Sequence, residues 1–489
     1  MKKRMLSITF LLFMACLLCS CRTESAPPPE AVIHTLSSRD VPTRLTEDTN
    51  QALLPDFSIA DVRNAFLDAG YRSVEAPTVE GLRISTEVLS AENVLVTLRQ
   101  TDGGTRIVWE ECDSAVISLL FPNENTGKGE ATMVQIGVER GDAVDNPMIG
   151  MCYVYKLSDG SAVILDGGTD SNADNLYATL QKLNIAKDEN GRYRITAWIF
   201  SHGHQDHYGA FTAFAEKYRE QTVLSYVMHA FPSDEATIEL IDPNVAFFAE
   251  WMRVYYPQAV QIKAHAGLRY HFDNLTIDML YTPEMLSDID YANDTSLIFV
   301  ADCGGARVLH MGDAGNRAAQ AAWSAYEKEA FRADALQITH HGLTTAGTGD
   351  VNEWTYLRSV YEASEATIGL LPMGTRLTTD ERNGRYTVIN QWANWDFQAS
   401  FIFDNRPSET NMFSDSQEDY ERFVSEIASE TARYKTLCGY DGVNTVTNAN
   451  GMITYIMSTE TENMATVFRL SAQGLQVVEN KRLLAWLQS

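Results

Sequence analysis

Apolar residues in this chain gather into short runs that end in polar turns. AWIF (Ala197 to Phe200) reads as a buried strand, and YGAFTAFAEKY (Tyr208 to Tyr218) carries aromatic and aliphatic residues at helical spacing. Between them lies SHGHQDHYGA, from Ser201 to Ala210, so this polar stretch sits at a strand-to-helix junction. Junctions at the carboxyl ends of strands are where α/β proteins usually bind ligands. ARVLHMGDAGN predicts a second strand leaving through Gly312 and Asp313, and ALQITHHGLTTAG a third, ending at His340, His341 and Gly342. Upstream, SIADVRNAFLDAGY predicts a helix capped by Ser58, and NVLVTLRQ and TRIVWEE predict strands, together a small α+β module over 51–125. Downstream, SDSQEDYERFVSEIASETARY predicts a helix with an acidic, solvated face. MITYIMS and MATVFRLS alternate like strands that either finish the main fold or form an appended sheet.

The junction carries chemistry. His202, His204, Asp206 and His207 crowd together in a chain that has 10 histidines in all. Imidazole nitrogen and carboxylate oxygen are the donors that suit zinc and its borderline neighbours. Alternate residues of an extended loop point the same way, so His202 and His204 can close on one ion while Asp206 and His207 face another. Asp313, leaving its strand through a glycine turn, can reach across a pocket to bridge two ions. His340 and His341 complete the candidate donors.

With these residues in order, the chain resembles the metallo-β-lactamase superfamily over roughly Ala131 to Asp404. A strand ending in VILDGG is followed by the HxHxDH loop, a Gly-Asp turn and a histidine before glycine. The resemblance implies an α/β (α+β) chain built on an αββα sandwich with a small N-terminal α+β module. It implies His202 and His204 on the first ion, Asp206, His207 and His341 on the second, and Asp313 bridging. Asp166 matches an aspartate that holds the metal loop by hydrogen bonds. The stretch where the family usually supplies a further histidine to the first ion, IDMLYTPEMLSDIDYANDTSLIF, has none. In this gap, and in NDTSLIF with the HHG triplet, the chain is similar to the competence-type and phosphorylcholine esterase branches. His340 is then an orienting residue or proton donor, and Asp206 orients the attacking hydroxide. Two zinc ions are expected, with the first site incomplete and Mn2+ or Fe2+ left open.

The amino terminus places this chemistry. MKKRMLSITFLLFMACLLCSC has the layout of a secretory signal, with a run too short for a comfortable membrane crossing. Leu18-Cys19-Ser20-Cys21 resembles a bacterial lipoprotein processing site, so Cys21 would be lipidated and the protein anchored to the bacterial cell membrane on its extracytoplasmic side. Residues 1–21 are then the signal and 22–50 a tether, with RTESAPPPEA reading as extended chain. Residues 126–420 form the catalytic domain and 421–489 a helix and strands completing it or appended to it. Cys112, Cys152, Cys303 and Cys438 are too sparse for a disulfide framework, and buried free thiols are expected.

Charge narrows the substrate. With 38 basic against 65 acidic side chains the net charge is −27, which repels a polyanion and argues against nucleic acid. A positive metal pair still accepts one phosphate. Two cations sharing a water lower its pKa towards neutrality, which makes a hydroxide available. The expectation is therefore an exported, zinc-dependent hydrolase acting on small or surface phosphodiesters. The alternatives are a β-lactam or lactone hydrolase using the same site, and a non-catalytic metal-binding surface lipoprotein. Trp392, Trp395 and Phe397 read as core packing rather than a cage for a quaternary ammonium. His229, His271 and His310 read as structural histidines, with His229 the best spare candidate for the first site.

Overall fold

The structure is a computed structural model of the chain. It describes residues 26–37, 44–45, 50–55, 57–74, 78–136, 150–232, 235–342, 355–366, 368–370, 372, 401–403, 443–447, 453–457, 464–482 and 487–488. The expected signal, Cys21, Trp392, Trp395, Phe397, the expected acidic helix and Cys438 lie outside the described residues. Residues 22–50, expected to be an extended tether, are described in part, and there Pro29–Ser37 is instead a helix: Val32, Ile33 and Leu36 recur at helical spacing and are buried in the core of the first unit with Val62 and Phe66. The chain divides into two units, one of Met1–Val74 with Ile84–Ile117, the other of Glu75–Arg83 with Ser118–Ser489.

In the first unit a six-stranded antiparallel sheet carries a helix. The helix Ile59–Asp68 starts where the Ser58 hydroxyl accepts the Asp61 N–H, and turns Val62 and Phe66 inward. Its core closes on Leu89, Val96, Leu98 and Ile107. These side chains come from strands whose alternate residues face the helix, as the period of two requires. Gly104 opens the strand Gly104–Glu111 with φ +122°, and a Cβ there would stand 2.2 Å from the Leu54 carbonyl oxygen, so no other residue fits.

The second unit holds two sheets. In the first, Val260–Lys263, Thr222–His229, Tyr193–Ile199 and Ala162–Asp166 run parallel. Cys152–Lys156, Ala131–Ile136, Met464–Ser471 and Gly474–Arg482 extend it antiparallel. In the second, Arg269–Phe272, Leu275–Tyr281, Ile298–Cys303 and Ala306–His310 form an antiparallel meander. Ala335–Gln337, Ile368–Leu370, Phe401–Phe403 and Ile453–Met457 then continue parallel from its last strand, and Val443–Thr447 pairs at the far edge.

Side-chain alternation builds the layers. Val154, Ile164 and Trp198 pack outward against Leu176, Phe211, Phe214 and Phe248 of the helices Ala173–Lys182, Gln205–Tyr218 and Phe248–Tyr255. On the second sheet Val300, Leu309 and Leu336 pack against Ala318, Ala322, Leu357 and Tyr361 of the helices Asn316–Ala325 and Thr355–Ser364. The opposite faces meet each other: the Tyr155 hydroxyl lies 2.6 Å from His310 Nε2, and Tyr153 and Phe299 stack edgewise or tilted on the same imidazole. Helix, sheet, sheet, helix is the αββα sandwich. MITYIMS and MATVFRLS complete its sheets rather than forming a separate one. No helix among the described residues is long and apolar enough to cross a membrane.

His310 is fully buried, and burial pushes its pKa down to about 3. Unfolding lets it titrate near its ordinary value of about 6.5. Its neutral form therefore contributes stability that is present above pH 6.5 and lost as pH falls towards 3. Urea unfolding at stepped pH should show stability dropping by up to about 1.4 kcal/mol per pH unit from this residue. His310→Gln should flatten that slope, and identical slopes in the two proteins would contradict the assignment.

Candidate metal centre

Donor side chains come from the carboxyl ends of parallel strands in both sheets. The strand Tyr193–Ile199 leads through Phe200 and Ser201 to His202 and His204. The helix Gln205–Tyr218 then begins with His204 as its cap and Asp206 in its first turn. The strand Ala306–His310 leads to Asp313, and Ala335–Gln337 leads to His340 and His341. Gly312 makes the turn before Asp313 with φ +53°, and a Cβ there would come within 3.0 Å of Ser201 Cβ and 3.2 Å of Ser296 Cβ. The close approach brings the loops of the two sheets together.

Imidazoles and carboxylates meet in a buried cluster. His202, His207, Asp313 and His341 are no more than 2% exposed. His207 Nε2 lies 3.3 Å from Asp313 Oδ1 and 3.3 Å from His341 Nε2. His341 Nε2 lies 3.2 Å from Asp206 Oδ2 and 3.4 Å from Asp313 Oδ2. His202 Nε2 stands 3.6 Å from Asp313 Oδ2 and 2.9 Å from His204 Nδ1. Among the described residues two donor groups are close enough to hold an ion: His202 with His207 and Asp313, and Asp206 with His207 and His341. His207 belongs to both, whereas the resemblance gave it to the second ion alone. His204 enters neither group, and reaches the cluster through His202.

Hydrogen bonds outside the cluster fix what these rings present to it. Asp166 is fully buried in the left-handed region at φ 53°. One of its oxygens accepts the Ser201 N–H at 2.7 Å; the other accepts the Ser201 hydroxyl and His207 Nδ1, both at 2.7 Å. His341 Nδ1 lies 2.6 Å from the Pro372 carbonyl oxygen, which only accepts, so Nδ1 carries the hydrogen. Both rings therefore turn Nε2 towards each other and towards carboxylate oxygens. Neutral, these nitrogens have only lone pairs to offer one another. Asp313 Oδ1 is likewise buried and has no hydrogen-bond partner among the described residues. With the rings neutral, lone pairs converge from nitrogen and oxygen with no hydrogen to share, which is the chemistry of a cation site; without an ion, protons drawn onto His207 and His341 take that place, and the donors fit a divalent metal ion.

Electrostatics point the same way. Burial opposes a charge on His207 and His341, but the surrounding carboxylates outweigh it: Asp313, Asp166 and Asp206 raise His207 well above its usual range, and Asp313 and Asp206 hold His341 up at about 9. Burial would raise Asp313, yet the imidazoles of His341, His207 and His202 hold it well below the ordinary carboxylate range. His202 is driven down by burial and by His207. The carboxylates call for positive charge here.

His340 has its Nε2 3.2 Å from Asn293 Nδ2, and its Nδ1 is buried without a partner among the described residues. Both His340 and His341 are left-handed, at φ 50° and 55°. His229 joins neither donor group: its Nδ1 accepts the Phe231 N–H at 3.1 Å, and it lines a cavity with Phe231, Lys263 and Glu284. His271 bonds Thr276 Oγ1 at 3.2 Å. Ser201, Asn293 and the Pro372 carbonyl were not singled out from the sequence. Ser201 stands at the head of the SHGHQDH run, but its bond to Asp166 depends on the pairing of their strands.

Residues 145–358 match the model of the Metallo-beta-lactamase superfamily, so the chain carries a domain of that superfamily whose His and Asp groups can hold metal. Among solved structures it is similar to the metallo-beta-lactamase fold protein YhfI from Bacillus subtilis, at 16% identity over 50% of this chain and 86% of that one, with a TM-score of 0.30. It is also similar to Zn(2+)-bound PqqB from Methylobacterium extorquens, at 16% identity over 42% and 72%, TM-score 0.29. A metallo-beta-lactamase from Cronobacter sakazakii with a HARLDQ motif aligns at 14% identity over 60% and 89%, TM-score 0.28. No curated protein matches the chain.

Asp166 acts on the cluster through His207 and Ser201. Asp166→Asn should weaken metal binding by about 10–100-fold while the fold is retained, as for other partners behind a ligand. Competition titration with a chromophoric chelator measures this, and an affinity equal to that of the unaltered chain would remove Asp166 from the site.

Proposed function

We propose that this chain is a zinc-dependent phosphodiester hydrolase, exported and held at the bacterial membrane through lipidated Cys21. The observation that carries the reading is the buried convergence of His202, His207, Asp206, Asp313 and His341 from loops of both sheets. Bound divalent ions supply Lewis-acid polarisation and lower the pKa of water. The protein's own groups do the rest. Asp313 stands between the donor groups, within 3.6 Å of His202, His207 and His341, and keeps them facing one another. Asp206, beside His341, orients the attacking oxygen. His340 offers the N–H of its unpartnered Nδ1 to the departing oxygen, with its other nitrogen occupied by Asn293. The net charge of −27 favours a small or zwitterionic ester over a nucleic acid polymer.

Bis(p-nitrophenyl) phosphate and a chromogenic β-lactam should be offered side by side. Turnover of the phosphodiester is expected, lost on chelation, restored by zinc, and abolished by His204→Ala or Asp313→Ala with little change in thermal unfolding. Turnover of the lactam alone would replace the phosphodiester reading. Full metal occupancy with no turnover of either substrate would favour a binding lipoprotein. For export, mass spectrometry should find a mature chain beginning at acylated Cys21, and an intact unmodified Met1 terminus would refute the anchor.

A further inference from the structure

We propose that the side-chain oxygen of Asn293 supplies the donor missing at the first ion, with His340 as the positioning residue that aims it. This rests on the metal reading above. Asn293 lies in the short turn Ala292–Thr295, inside the stretch that carries no histidine. Its Nδ2 faces His340 Nε2 at 3.2 Å, and an amide N–H donates, so the ring nitrogen accepts and Oδ1 becomes the free end of the side chain. That Oδ1 is shielded from solvent and has no hydrogen-bond partner among the described residues. Left so, a buried amide oxygen costs about 1–3 kcal/mol. A cation is the partner that offsets this cost.

The neighbourhood identifies which cation. Ser296, at the end of the same turn, accepts the Asp313 N–H at 3.1 Å, and the His340 N–H is bonded to the Gly312 carbonyl oxygen at 3.1 Å. Asn293 thus sits on a segment bonded to the one that presents Asp313, whose Oδ1 is also without a hydrogen-bond partner among the described residues. The turn is braced from behind, because Arg317 binds Asp288, Asp290 and Asp294 at 2.8–3.1 Å. Finally, His340 and His341 hold consecutive left-handed conformations, each costing about 1–3 kcal/mol. Such a backbone persists where the surroundings require it, and here it lets one ring reach Asn293 while its neighbour reaches Asp206 and Asp313.

An amide oxygen is a harder and weaker donor than imidazole, better suited to Mn2+ or Mg2+ than to a soft ion. The first ion should therefore be held less tightly than the second and exchange more readily for Mn2+. Calorimetric titration of the full chain with Zn2+ and Mn2+, with elemental analysis after dialysis, tests this. Two binding events are expected. Asn293→Ala should weaken one of them by about 10–100-fold and leave the other unchanged. Asn293→His should bring back tight zinc binding at that event. His340→Gly keeps the left-handed backbone without strain, so it should weaken the same event with no loss of thermal stability. Unaltered titrations in both Asn293→Ala and His340→Gly would overturn the proposal. A chain that binds a single ion, lost in Asp206→Ala and untouched in Asn293→Ala, would overturn it while leaving the metal reading intact. A single ion weakened by Asn293→Ala would support it. No binding at all would end both.

Discussion

A carboxylate with no access to water governs this centre. Asp166 lies wholly inside the protein, and a buried charge left unpaired is expensive enough to reorganise whatever surrounds it. Its oxygens are satisfied by Ser201 and His207, which join the end of one parallel strand to the loop and first helical turn beyond the next. The Trp198 indole donates to the Asp166 backbone oxygen at 2.9 Å and ties the same strands from below. Register, loop path and ring orientation all follow from that satisfaction. The imidazole of His207 has one nitrogen engaged and one left to face the other sheet.

The second sheet answers with the same logic in different groups. Gln337 accepts the Met311 N–H and donates to the Gly312 and Ile338 carbonyl oxygens, and the Thr339 hydroxyl donates to Ala314. Side chains thus take over the backbone bonds that the turn around Asp313 cannot make for itself. Between the sheets, the Tyr155–His310 contact supplies a polar link across an otherwise apolar layer. The donors are mounted on rigid strand ends, which is what a site of fixed geometry requires.

Much of this was legible in the residues. An apolar run followed by clustered imidazoles states both an element and a chemistry, so the strands before His202, Asp313 and His341 could be read directly. Asp166 could be placed only by its order in a familiar series, since an aspartate at a strand end is otherwise an ordinary turn residue. Ser201, the Pro372 carbonyl and the Asn293 amide were silent because their roles depend on partners distant in sequence. Nothing local in THHG announces left-handed histidines either, since those conformations reflect what the rings must reach. For the carboxyl-terminal strands, alternation gave the element but not its neighbour. MATVFRLS could not reveal that its partner is Ala131–Ile136, because a period of two says which face is buried and nothing about which edge is waiting.

That last pairing has a consequence for how the molecule is made. Ala131–Ile136 comes early in the order of synthesis, yet the strand that covers its open side, Met464–Ser471, leaves the ribosome only after the rest of both sheets' central strands. Until then a row of unpaired amides and carbonyls stays available to any extended peptide nearby, the circumstance in which nascent chains stick to one another. Contacts so remote along the polymer also form slowly. The sandwich is therefore closed by a late, long-range stitch, and until it forms the open edge is the point at which the newborn sheet is exposed.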